Sequence, residues 1–246
     1  MTSQGKFFIG TSGFTYNHWR GIFYPEKLPQ KKWLEHYAWH FDTVEINSSF
    51  YHLPRPSTCE SWRKRVPESF IFTMKASRFI THIKKLKEID EPVKNFFEVI
   101  RPLEEKLGPI LFQLPPGMKK DLGLLKGFIE KLPEGFRYLF EFRNNSWYDD
   151  DLFSLLDDKG VSFCIHDFPE RASPSVVTGN FVYLRFHGAR QAYSSCYNDD
   201  ELGTWAEKMK DYLKTGRDVY AYFNNDIMGY AVQNAKMLKQ FLLKSS

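Results

Sequence analysis

The sequence predicts an α/β fold: a single (β/α)8 TIM barrel, with an irregular link lacking a full helix between strands six and seven. Three observations carry this. Eight short apolar runs recur along 246 residues. Helical patterns separate most of them. The links that follow the runs are long, and those that precede them are short. Alternating strands and helices imply a parallel sheet, and eight such strands in about 250 residues suit a closed barrel better than an open sheet.

Taken in order, strands are expected at Phe7–Thr11, Thr43–Ile46, Phe70–Lys75, Ile110–Gln113, Arg137–Phe142, Val161–His166, Phe181–His187 and Asp218–Asn224. Each is rich in Phe, Ile, Val or Tyr and bounded by Gly, Pro or Asn. Helices are expected at Lys31–Trp39, Thr58–Arg65, Val93–Leu107, Leu122–Leu132, Asp149–Asp158, Glu201–Lys214 and Tyr230–Leu243, with apolar positions three and four apart, as in Val93, Phe96, Phe97 and Ile100. Between His166 and Phe181 stand Pro169, Pro174 and Gly179, with no helical pattern. No linker or low-complexity stretch divides the chain, so one domain over 1–246 is expected.

Short helix-to-strand links, such as Leu107-Gly108-Pro109 and Lys159-Gly160, contrast with long strand-to-helix links at 12–30, 47–57, 76–92, 114–121, 167–180 and 188–200. In a barrel the long links share the C-terminal mouth, where barrel enzymes build their sites.

The composition is that of a globular protein, 42% apolar and 26% charged, with a net charge of +4. No apolar run reaches the ~20 residues that span a bilayer. The N-terminus has no basic-then-apolar leader pattern, which predicts no secretion. Cys59, Cys164 and Cys196 form neither a disulfide framework nor a CxxC metal clip. A cytoplasmic location fits.

Nearly every expected strand ends in a polar residue. Strand period two puts Thr43, Glu45 and Asn47 in one row, Leu139, Glu141 and Arg143 in another, and Tyr183, Arg185 and His187 in a third. If these rows point inward, Glu45, Lys75, Glu141, Arg185 and His187 converge. Charge in a barrel interior is expensive unless it is paired or used. An ion pair of Glu141 with Arg185 or with Lys75 is the structural explanation.

The segments GTSGFTYNHWRGIFYP, VEINSSFYHLPRP, FTMKASRFITH, LGPILFQLPP, FEFRNNSW, YLRFHG and YFNND-IMGYAVQNA lie in this order from Gly10 to Ala235. Together they resemble the YecE-like TIM-barrel family, also called domain of unknown function 72, over almost the whole chain. The resemblance implies the barrel fold. For chemistry it implies nucleic-acid binding or processing only by analogy with metal-dependent barrel endonucleases. It maps Ser12, Trp19, Glu45, Asn47, Tyr51, Lys75, His82, Gln113, Glu141, Arg143, Trp147, Arg185, His187, Asn224 and Asp226 to the mouth.

Four chemistries compete for these residues. Glu45 and Glu141, ending strands two and five, could flank one bond as acid and base. His166, Asp167, His187 and Asp226 add oxygen and imidazole donors for a metal, but Lys75, Arg143 and Arg185 would repel a dication, so no metal and no cofactor are expected. The seventh and eighth strand-end loops, with Gly188, Arg190 and Gly229, suit an anion, and Asp226 is also a natural helix N-cap. Trp19, Tyr51 and Trp147 could stack on a base or sugar beside the basic third loop, Arg78 to Lys87, whereas Phe14, Phe23 and Phe50 are expected to pack the loops.

The expected function is an enzyme, a hydrolase or lyase, taking a small anionic or sugar-like substrate. Glu45, Glu141 and His187 are the expected catalytic residues. Ser12, Trp19, Asn47, Tyr51, Lys75, Gln113, Arg143, Trp147, Arg185, Asn224 and Asp226 are the expected substrate contacts. A nucleic-acid-binding barrel and a non-catalytic scaffold are the alternatives. No membrane partner is expected, and the sequence does not specify an oligomeric state.

Overall fold

The computed structural model describes residues 4–169, 171–188 and 190–244. The fold is an α/β (β/α)8 barrel. Its strands are β1 (Phe7–Thr11), β2 (Thr43–Ile46), β3 (Ile71–Lys75), β4 (Leu107–Gln113), β5 (Tyr138–Glu141), β6 (Ser162–His166), β7 (Phe181–Phe186) and β8 (Asp218–Phe223). They form one sheet in the order β1-β8-β7-β6-β5-β4-β3-β2. The helices are α1 (Trp33–His40), α2 (Ser48–Tyr51), α3 (Pro56–Lys64), α4 (Asp90–Ile100), α5 (Leu122–Ile129), α6 (Asp150–Asp158), α7 (Asp199–Lys214) and α8 (Tyr230–Leu243). Among the described residues no helix is long and apolar enough to cross a membrane. The chain divides into two compact units, residues 1–45, 165–175 and 180–246, and residues 46–164 and 176–179.

In the first unit β8 pairs in parallel with both β1 and β7, with Ile9 opposite Ala221 and Arg185 opposite Tyr222. A single bridge between Ser12 and Glu45 joins the ends of β1 and β2. Gly10 allows β1 to approach β2 closely, because an added Cβ would overlap the Thr43 carbonyl. Phe186 stacks on Phe223 at 4.5 Å, and Phe8 on Tyr220 at 4.7 Å. Helix α7 starts two residues before the expected Glu201, because Asn198 and Glu201 form a reciprocal capping box.

In the second unit β4 pairs with β3 and β5, and Gln113 stands opposite Glu141. The helix expected over 93–107 runs instead from Asp90 to Ile100 and passes into a 3-10 stretch, Arg101–Lys106. Pro102 supplies no N–H for a continuing α-helix. The expected link Leu107-Gly108-Pro109 is the start of β4: Gly108 lies against β3, where a Cβ would overlap Ile71 Cγ2. The loops after β2 and β3, expected to be irregular, contain α2 and a π-turn, Phe79–Ile83.

The sixth link has no helix among its described residues. Ser173 instead ties back to the end of β6: its N–H donates to the His166 carbonyl at 2.9 Å, and its Oγ accepts the His166 N–H at 2.9 Å.

Candidate functional site

The first unit holds a buried carboxylate between three strands. Strand alternation sets Tyr183 and Arg185 in one row of β7, and both side chains reach Glu45. Ser12 Oγ donates to Glu45 Oε1 at 2.5 Å, Arg185 Nη2 donates to the same oxygen at 2.8 Å, and Tyr183 OH donates to Oε2 at 2.6 Å. Arg185 is 1% exposed, and Ser12 and Glu45 are completely buried. Burial first, and the Glu45 charge second, hold the Tyr183 phenol well above its usual pKa, so it stays a donor. Arg185 pairs with Glu45, a partner that strand faces alone do not single out.

A second carboxylate stitches the ends of β6 and β7. Asp167 Oδ1 accepts the His187 N–H at 2.8 Å, and Tyr197 OH donates to Oδ2. That hydroxyl also accepts the Gly188 N–H at 2.7 Å. Burial raises the Asp167 pKa, and the Tyr197 and His187 hydrogen bonds oppose part of the rise. His187 is buried, with its Nδ1 3.9 Å from Asp167 Oδ1 and its ring beside Phe168 at 5.4 Å and Tyr193 at 5.8 Å. From the sequence, Asp167 is expected only as a metal ligand, and Tyr197 has no expected role. An acid one residue past a strand end was the available signal for the first; nothing in the spacing marked the second.

The first and eighth strand-end loops meet at the Asp226 carbonyl. It accepts the Trp19 indole N–H at 3.0 Å and lies 2.9 Å from His18 Nε2. Trp19, expected as a stacking contact, is completely buried, so its indole braces the loops and offers no face to a ligand. Asp226, expected as an N-cap, occupies the N-cap position of the 3-10 turn Ile227–Gly229 but makes no side-chain capping bond, and Gly229, with φ +72°, occupies the N-cap position of α8. Burial raises the Asp226 pKa, opposed by His18. Asn224 is half-buried, and its N–H donates to the Phe186 carbonyl. Its neighbour Asn225 donates through Nδ2 to Ser195 O and Asn234 Oδ1, both at 2.9 Å, a bridge the sequence reading missed.

The second unit has its own buried carboxylate. Gln113 Nε2 donates to Glu141 Oε1 at 2.7 Å, and Arg143 Nε pairs with the same oxygen. Cys164 Sγ stands 3.9 Å from Oε2. Lys75 Nζ lies 4.2 Å from the centre of the Phe50 ring. The His82 ring meets that of Phe50 edge-on at 4.9 Å. Burial first, then Lys75 and Arg78, push the His82 pKa down to about 4. Trp147, also expected as a stacking contact, is completely buried, with its N–H on the Met118 carbonyl at 2.8 Å. Tyr51 is exposed and Asn47 half-buried. In the basic third loop Lys84 is paired with Glu88. Of the five charged residues expected to converge, Glu45, Arg185 and His187 belong to the first unit, and Lys75 and Glu141 to the second. Among the described residues no group of three or more His, Cys, Asp or Glu is placed to hold a metal ion.

Parallel strands that carry buried charge at their C-terminal ends define an α/β barrel of the TIM type. The chain belongs to the family described as "Protein of unknown function DUF72", whose model matches residues 8–246. It is 26% identical to the UPF0759 protein YunF of Bacillus subtilis over 89% of both chains. It is 34% identical to the UPF0759 protein YecE of Escherichia coli over 54% of this chain and 52% of that one. Among solved structures it is similar to a DUF72 family protein from Thermotoga maritima, with TM-score 0.87, 30% identity and coverage of 97% of this chain and 99% of that one. A DUF72 family protein from Enterococcus faecalis, 24% identical and covering 99% of each chain, shares the fold with TM-score 0.81.

Proposed function

We propose that the protein is an enzyme that binds a small anionic substrate, a phosphorylated sugar or nucleotide, at the strand ends of its first unit. The observation that supports this reading is the buried Arg185–Glu45 pair at the ends of β7 and β2. A buried ion pair adds little stability over a well-packed apolar pair of the same volume, and strand C-termini are where barrels place their sites. In this reading Arg185 faces the anion and Glu45 orients Arg185, since its oxygens already accept from Ser12, Tyr183 and Arg185. His187 carries the proton, and Asp167 fixes its backbone. The hydrolase-or-lyase chemistry is part of the same proposal, as is a cytoplasmic location, which the free thiols Cys59, Cys164 and Cys196 suit.

The test is calorimetric titration of sugar phosphates and nucleotides into wild type, Arg185→Lys and Lys84→Ala. A ligand that binds wild type and Lys84→Ala but loses at least about tenfold in Arg185→Lys supports the reading, because lysine cannot reproduce a guanidinium fork. Equal binding by all three proteins overturns the assignment of Arg185. Binding of oligonucleotides alone, weakening steeply with salt, would favour the nucleic-acid alternative.

A further inference from the structure

Helices α1 and α8 carry a cluster of basic side chains that the strand-end reading does not use. His36 and His40 lie one turn apart on α1, and their ring centres are 5.0 Å apart. Both pack on the ring of Phe23, at 5.1 and 5.3 Å. Lys236 of α8 places its Nζ 5.1 Å from the centre of the same ring. Three basic groups thus surround one aromatic side chain.

Among the described residues none of the three makes an ion pair, and Lys236 makes no hydrogen bond. The nearby carboxylates are engaged elsewhere, Glu35 with Lys32 at 3.7 Å and Asp42 with Lys239 at 2.7 Å. Two tyrosines adjoin the cluster, Tyr24 at 5.5 Å from His36 and Tyr37 at 6.1 Å from Phe23, and burial keeps both phenols protonated.

We propose that His36, His40 and Lys236 form a binding site for a dianionic oxyanion, a phosphate ester or a sulfate, separate from the strand-end site. Three nitrogen donors around one ring suit an anion that presents several oxygens, and a half-buried ammonium with no carboxylate gains from any anion that reaches it. Hydrogen bonding sets the tautomer of one imidazole: His36 Nε2 lies 3.0 Å from the Phe23 carbonyl, which can only accept, so the proton is on Nε2. Nδ1 becomes a donor when the ring takes a second proton. Burial and the Lys236 charge both lower the His36 and His40 pKa values. An oxyanion reverses the electrostatic part of that shift, so binding takes up protons and strengthens as the pH falls. A divalent metal on the same two histidines would show the opposite dependence, because it competes with protons.

Sulfate is the probe, since it stays a dianion across the range and carries no titration of its own. Histidine proton resonances, followed by NMR over pH 5–8 at constant ionic strength, report both imidazoles directly. With sulfate, the His36 and His40 titrations should move up by about half a unit or more, and sulfate affinity should rise about five-fold between pH 7.5 and 5.5. His36→Gln, His40→Gln and Lys236→Met should each weaken several-fold the sulfate affinity read from the remaining histidine resonances, and Arg185→Lys should leave the sulfate-induced His36 and His40 shifts unchanged. Titrations identical with sulfate and with chloride overturn the proposal. So does loss of the sulfate-induced His36 and His40 shifts in Arg185→Lys, or zinc binding at His36 and His40 that strengthens with rising pH while sulfate leaves both titrations in place.

Discussion

Glu45 of β2 is gripped from the end of β1 and from β7, and its neighbours differ in what their removal should cost. In Arg185→Met the carboxylate stays buried with only Ser12 and Tyr183 donating to it. Urea denaturation should show a loss of about 3–5 kcal/mol, the usual result of leaving one partner of a buried pair uncompensated. Tyr183→Phe removes one hydrogen bond to a charged group and should cost about 1.5–3 kcal/mol. His82 gives a pH signature in the second unit. Its folded pKa is about 4, below the ordinary 6.5, so the unfolded chain binds a proton that the folded chain refuses. Its contribution to stability is complete above pH 6.5 and is lost as the pH falls toward 4. His82→Gln should therefore flatten the decline of unfolding free energy between those values. An unchanged slope would show that other groups cause the decline.

Elements are delimited by contacts that periodicity cannot register. The start of α7 is set by Asn198, whose side chain accepts from Glu201 N while the Glu201 carboxylate accepts from Asn198 N. Asn198→Ala should cost about 0.5–2 kcal/mol in chemical denaturation. Strand β1 depends on Gly10, where a methyl group would strike the Thr43 carbonyl and come within 2.9 Å of the Tyr37 hydroxyl. Backbone atoms cannot step aside as a flexible side chain can. Gly10→Ala should therefore lower the melting temperature by several degrees, at about 2–4 °C per kcal/mol for a chain of this size. Gly108 shows the same physics from the other side: read as a linker residue, it is the point where β4 approaches Ile71 of β3.

Across the whole molecule the charges are nearly balanced, at 34 basic and 30 acidic residues. The Arg185–Glu45 pair is buried and Arg143–Glu141 nearly so, whereas Lys64–Glu60, Lys84–Glu88 and Lys214–Asp211 are exposed. Salt screens the exposed kind, each worth at most about 1 kcal/mol, and hardly reaches the buried kind. Raising the salt from about 0.05 to 0.5 M should change the unfolding free energy by no more than about 3 kcal/mol, the upper limit for three such pairs. A larger loss would mean that surface electrostatics carry more of the stability than these pairs provide.

The alternation of strands and helices, the eight strand positions, the helix-free sixth link and the polar residues at strand ends were legible in the sequence. They depend on local chemistry: side-chain periods of two and 3.6, prolines that stop helices, and a sheet that must bury its apolar rows. Which charges pair was not legible. Glu45 and Arg185 are 140 residues apart, and a strand face by itself does not say which acid of another strand its arginine will meet. Faces follow from a period of two, but partners follow from the stagger between strands, and no single strand contains that information. The burial of Trp19 and Trp147 was hidden for a related reason, because a loop's own residues do not reveal which carbonyl of another segment will meet an indole. Only the tertiary fold brings Lys236 over Phe23 beside His36 and His40: α1 and α8 are far apart in the chain, and packing alone sets which of their side chains share a ring.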